Sequence, residues 1–215
     1  MSDKSNKFGY VGADIPTQSF GNNTGVFDPN DINNLIADNK WTTFGQLELI
    51  ETQSITSSTA TMDFTNLGNY NVHFLVYSNA DPNTDTVSLI TRLSNNGGSS
   101  FISSGYQYAL QLGKGDGSFS ELRTTSIGQL TVFGGAGTGA NEVANGYCYF
   151  YNLLDSSKYS FSTNHLSSLN HQPLLEMRFG SGVYPTAETH NAIRILFSSG
   201  NINNLQASLY GIRYS

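Results

Sequence analysis

The sequence predicts an all-β protein: an antiparallel, jelly-roll-like β-sandwich with an extended N-terminal arm and one short helix. Two observations carry this. From residue 45 onward, short runs alternate apolar and polar side chains with a period of two, the spacing of a strand whose successive side chains point to opposite faces. Between the runs lie clusters of Gly, Asn and Ser, residues that accept the backbone angles of tight turns, and no stretch has the 3.6-residue period of a long helix. At 215 residues the chain is long enough to form one sandwich of this kind.

Residues 1–44 stand apart. "FGYVGADIPTQSFGNNTGVF" has neither periodicity nor enough apolar area for a core, so it reads as a docking arm. Its available apolar side chains are Phe8, Tyr10, Val11, Ile15, Phe20, Val26 and Phe27. "DPNDINNLIADNKW" then predicts a helix over about 29–38. Asp28 suits the cap, Pro29 the first turn, and Asp31 the positive end of the helix dipole. Ile32, Leu35 and Ile36 share one face of that helix. With Trp41, the single tryptophan, they are expected to anchor the arm to the domain at 45–215.

The strands follow in order. Leu47/Leu49, with Glu48 and Glu51 facing away, open the series. Met62/Phe64, Tyr70/Val72/Phe74/Val76, Val87/Leu89 and Tyr106/Tyr108/Leu110/Leu112 come next. Leu130/Val132, Leu175/Met177/Phe179 and Ile193/Ile195/Phe197 complete the apolar faces, about ten strands in all. In this reading Phe74 sits in the core and His73 on the other face of its strand. Turns are expected at Asn95-Asn96-Gly97-Gly98, Gly113–Gly117, Phe133–Gly137 and Ser198–Asn201. "GYCYFYNLLDSSKYSF" places Tyr147, Tyr149 and Tyr151 on one face of a strand and Cys148 and Phe150 on the other. The expectation is that Cys148 and Phe150 point inward. The tyrosines then fill a subunit interface or form a platform on which sugar rings stack, because a tyrosine ring buries while its hydroxyl keeps a polar partner.

Composition narrows the function. Charged residues make up 12% of the chain, about half the average of roughly 25%. Ten basic against sixteen acidic residues leave a net charge of −6, which repels a phosphate backbone, so nucleic acid is not an expected partner. A single cysteine, Cys148, cannot form an internal disulfide, and no apolar run is long enough to span a membrane. The first residues lack the apolar stretch of a secretory signal, so the chain is expected to be made in a cytoplasm.

Motifs that would carry chemistry are incomplete. "QLTVFGGAGTGA" (129–140) has Gly135, Gly137 and Ala140 at dinucleotide-loop spacing, but the residues after it read as β rather than as the helix that must receive the pyrophosphate. Asp81, Asn83 and Asp85 match the first ligands of a calcium loop. Thr86 stands where the loop needs glycine, and Arg92 where it needs glutamate. His73, His165, His171 and His190 are scattered without zinc-ligand spacing. No nucleophile elbow is present. The expectation is a protein with no metal, no cofactor and no catalytic residue.

Three segments carry a family resemblance. "RLSNNGGSSFISSGYQYAL" (92–110) is similar to a strand–Gly-Gly–aromatic–Tyr segment of tailed-bacteriophage virion proteins. "IRILFSSGNINNLQASLYGIR" (193–213) resembles the closing hairpin of the same domains, whose last strand reads LYGI; Asn203-Asn204 stand where those domains often have a glycine. "GVFDPNDINNLIADNKW" (25–41) is similar to short attachment modules of phage fibres, cyanophages especially. The resemblance implies a non-enzymatic virion structural protein made in the host cytoplasm, of the tail-fibre, collar, baseplate or capsid-decorating kind. It also implies a homotrimer that assembles with other virion proteins. The alternative is a carbohydrate-binding module that recognises a host surface glycan.

Overall fold

A computed structural model describes residues 27, 29–37, 47–139, 141–169, 172 and 174–212. The chain divides into two units, Met1–Gly45 and Gln46–Ser215. In the first, α1 (Pro29–Ala37) forms where the cap and apolar spacing predict it, and none of its side chains is buried. Ile32, Leu35 and Phe27 are half-buried, and Ile36 is 55% exposed. The remaining arm residues, Phe8, Tyr10, Val11, Ile15, Phe20 and Val26, lie outside the described residues, as do Trp41 and His171.

The second unit contains twelve strands among its described residues. They are β1 (Leu47–Ile55), β2 (Met62–Phe64), β3 (Val72–Pro82), β4 (Val87–Ser94), β5 (Tyr106–Lys114) and β6 (Phe119–Ile127), then β7 (Thr131–Ala136), β8 (Ala144–Tyr151), β9 (Ser160–Leu169), β10 (Leu175–Tyr184), β11 (Ala192–Phe197) and β12 (Ile202–Ile212). They form an eight-stranded sheet, β1-β12-β3-β8-β9-β10-β5-β6, and a four-stranded sheet, β2-β11-β4-β7. All pairings are antiparallel. With the hairpins β5–β6 and β9–β10 set aside, the first remaining strand pairs with the last, the second with the second last, and so on inward. That nesting is a jelly roll. The two inserted hairpins then meet through β10 and β5 and double the width of the larger sheet.

The main core lies between the sheets. Leu75, Cys148, Phe150, Leu205 and Leu209 descend from the large sheet onto Phe64, Leu89, Leu93, Ile193, Ile195 and Phe197 from the small one. A second cluster joins Ile90, Val132 and Leu196 to Tyr108, Leu110 and Leu122 of the inserted strands. Ile90 and Leu89 are adjacent in β4 and so point to opposite faces. The inserted strands therefore curl round edge strand β7 and cover the far side of the small sheet, leaving β7 enclosed.

That enclosure corrects the expected turn at Phe133–Gly137, because Phe133 to Ala136 belong to β7. The glycines serve close approach rather than reversal. A Cβ on Gly134, whose φ is +122°, would sit 2.8 Å from Leu166 Cδ1, and one on Gly182 would lie 1.9 Å from the Leu130 carbonyl oxygen. Only glycine lets β7 press this closely on β9 and β10.

Three assigned faces are also reversed. In β3 the inward residues are His73, Leu75 and Tyr77, while Phe74 is half-buried and Val76 37% exposed on the outer face. Leu47 and Leu49 point outward at 50% and 60% exposure, with Ile50 packed against the core instead. In β10 the chain buries Glu176 and Arg178 and turns Leu175 and Phe179 outward. The common reason is that the outer face of the large sheet is itself apolar. Alternation marks two faces but does not say which one is inside. Cys148 and Phe150 do point inward, as expected, and both are fully buried.

Candidate functional site

The outer face of the large sheet is built from cross-strand rows, each placed by the register. The upper row runs Val76–Tyr147–His165–Phe179–Gln111–Glu121. The middle row runs Leu49–Tyr210–Phe74–Tyr149–Thr163–Ser181–Ala109–Arg123. The lower row runs Ile212–Val72–Tyr151–Phe161–Val183–Gln107. All three predicted tyrosines therefore stand on one strand of this face, one per row. Tyr149 packs 4.7 Å from Phe74 and stacks 6.4 Å from Tyr151, while Tyr147 meets His165 edge-on at 5.9 Å. Thr163 and the Tyr151 hydroxyl share a hydrogen bond of 3.0 Å, which fixes that ring.

The face has two halves. Over β1, β12, β3 and β8 it is apolar and aromatic. Beyond β8 the middle row shrinks to Thr163, Ser181 and Ala109, while the rows on either side keep Phe179 at 46% and Phe161 at 43% exposure. Adjoining depressions of about 710, 670 and 380 Å³ follow this low row. They form one shallow trough, ending at Arg123 and Glu121, whose charged groups pair at 3.3 Å. Sequence reasoning found the tyrosines but missed this trough. Part of its floor and walls comes from β9 and its charged end from β6, whose polar sequences "SFSTNHLSSL" and "FSELRTTSI" lack an apolar alternation.

A second arrangement was also invisible in the sequence. Ser160 Oγ lies 2.8 Å from His190 Nδ1, and His190 Nε2 lies 3.3 Å from Glu188 Oε1. These are the residue types of a hydrolytic triad. Ser160 and His190 are both fully buried, with Tyr184 edge-on against the imidazole at 5.3 Å, so no substrate can reach the hydroxyl in this geometry. The arrangement instead ties the segment before β11 to β9. The His190 amide also donates to the Leu153 carbonyl at 2.6 Å.

His190 and His73 give the fold a pH dependence. Burial lowers the pKa of both below the ordinary histidine value, opposed at His190 by Glu188 and at His73 by the bond from Nε2 to the Leu67 carbonyl. The unfolded chain then binds protons that the folded one refuses. This stability is fully present above the unfolded value of about 6.5 and is lost as pH falls below it. Unfolding free energy at pH 5 is expected to be lower than at pH 7.5, with a shallower slope in His73→Asn. A flat profile between these values would exclude neutral buried histidines.

The other motifs resolve structurally. Residues 131–136 form β7 and the next element is β8, so among the described residues no helix follows this loop to receive a pyrophosphate. Asn83 Oδ1 accepts from the Asn201 amide at 2.7 Å and from Thr84 Oγ1 at 3.0 Å, tying together two turns. Among the described residues no three His, Cys, Asp or Glu side chains cluster as metal ligands. Also among them, no helix is long and apolar enough to cross a membrane. Comparison with protein-family models, curated proteins and solved structures found no match to this chain.

Proposed function

We propose that the chain is a non-enzymatic structural protein of a phage virion, a tail-fibre, collar, baseplate or capsid-decorating component. It assembles as a homotrimer and joins the particle through its N-terminal arm. The observation that carries this reading is the apolar half of the large sheet. Leu47, Leu49, Val76 and Tyr147 are between 37% and 60% exposed there, next to Phe74, Tyr149 and Tyr210. A solitary soluble domain seldom leaves so continuous an apolar face to water, and aromatic residues with few charges are the composition of a buried contact. The segments that resemble virion proteins fall on β4–turn–β5 and on β11–β12.

Light scattering of the full-length protein at micromolar concentration is expected to give a trimer, and Leu49→Lys a smaller species with an unchanged β-sheet spectrum. A clean wild-type monomer would sink the oligomer. Deleting residues 1–24 is expected to leave the melting temperature unchanged while abolishing incorporation into particles. Normal incorporation would remove the arm from the reading.

A further inference from the structure

We propose that the trough across β8, β9, β10, β5 and β6 binds an uncharged oligosaccharide. This goes beyond the virion reading and does not depend on it, since the trough lies beside the apolar half assigned to subunit contact.

The trough is defined by the register. Its floor is Thr163, Ser181 and Ala109, three small side chains in successive strands, with Tyr149 closing one end and Arg123 the other. His165, Phe179 and Gln111 form one wall, each two residues along the strand from the floor, and Phe161, Val183 and Gln107 form the other. Four residues at ~3.3 Å set the two wall backbones about 13 Å apart, and four interstrand steps of ~4.8 Å make the trough about 19 Å long. It is a channel for a chain, too long for a single ring.

Its chemistry selects among chains. A protein contact needs a dry apolar centre with charges at the rim. Here polar and aromatic groups are mixed along the channel, and the floor offers the hydroxyls of Thr163 and Ser181. Gln107 and Gln111 have side-chain amides with no hydrogen-bond partner among the described residues, while Phe161 and Phe179 keep ring surface open to solvent. A pyranose presents an apolar C–H face bordered by hydroxyls that both donate and accept. Aromatic walls meet that face, and amides and hydroxyls meet that edge. Arg123 and Glu121 neutralise each other at 3.3 Å, so the trough carries no net charge to favour an acidic sugar. The resting place of a neutral glycan chain is thus specified by shape, ring surface and paired charge together.

The test titrates the full-length protein calorimetrically with cello-, malto-, manno- and galactotetraose, and with tetragalacturonate as the acidic comparison. At least one neutral tetrasaccharide is expected to bind, more tightly than its monosaccharide. Phe179→Ala, which removes a wall, and Ser181→Trp, which fills the floor, are each expected to weaken binding about tenfold or more. Both should keep the melting temperature and the oligomeric mass of the parent. No binding by any neutral tetrasaccharide would overturn the proposal, and so would binding that both variants retain. Binding of tetragalacturonate alone, lost in salt, would mean adventitious charge. A change of oligomeric mass in either variant would make the trough a protein interface.

Discussion

Glu176→Ala is expected to lower the unfolding free energy by about 3–5 kcal/mol. Glu176 and Arg178 sit two residues apart on the inward side of β10, only 4% and 9% exposed. Glu176 Oε1 accepts from Arg178 Nε at 2.7 Å and lies 2.6 Å from the second guanidinium nitrogen. The guanidinium reaches beneath β7, where a Cβ on Gly135 would approach it to 3.8 Å. Removing the carboxylate leaves a buried positive charge with no counter-ion, and Coulomb attraction no longer offsets its desolvation. The pair itself is not a net source of stability. The double variant Glu176→Leu/Arg178→Met is therefore expected to recover most of the loss. Chemical denaturation of the three proteins decides it. If Glu176→Ala unfolds like the parent, Arg178 has found water and the region is looser than its burial implies. Around the pair, Ser162 Oγ, Asn164 Nδ2 and Ser168 Oγ are buried with no hydrogen-bond partner among the described residues, a polar layer that ordered water can satisfy.

This buried polar layer explains what the sequence could and could not reveal. Where a strand lies between two different environments, one greasy and one wet, period two identifies it. That is how β2 and the inward Cys148 and Phe150 were legible. Strand β9 offers Ser160, Ser162, Asn164 and Ser168 to the interior and Phe161 and His165 to solvent, the reverse of the usual pattern, so nothing in its composition announces a strand. The glycines of β7 look like a loop because glycine serves both turns and close packing, and only the position of Leu166 and Leu130 distinguishes the two. The tyrosine ladder was legible because three aromatic residues at alternate positions have few other uses. The trough beside it was not, because its floor is defined by what is small, and small residues are common everywhere. Its register depends on two insertions meeting, β5–β6 and β9–β10, a pairing between segments more than sixty residues apart.

The sharpest consequence concerns the two faces of β3 and β8. Phe150→Ala is expected to destabilise the protein by about 3–5 kcal/mol, and Phe74→Ala by only about 1–2 kcal/mol. Phe150 is fully buried beside Leu75 and Cys148, so truncation leaves a cavity that the surrounding strands cannot close. Phe74 lies on the outer face, with ring contacts to Tyr149 at 4.7 Å, Tyr147 at 5.9 Å and Tyr210 at 6.2 Å. Its loss removes aromatic contacts but opens the site to water rather than leaving a void. Equal losses would return Phe74 to the core and reverse the face assignment. Protein concentration adds a second reading of the same pair. If the apolar half of the face is buried between subunits, assembly stabilises the folded chain by mass action. The Phe74→Ala deficit should then grow as concentration rises into the range where the parent is a trimer, because the missing ring weakens assembly. The Phe150→Ala deficit, internal to one subunit, should stay nearly constant. A Phe74→Ala deficit that is independent of concentration would show that this face does not hold the subunits together.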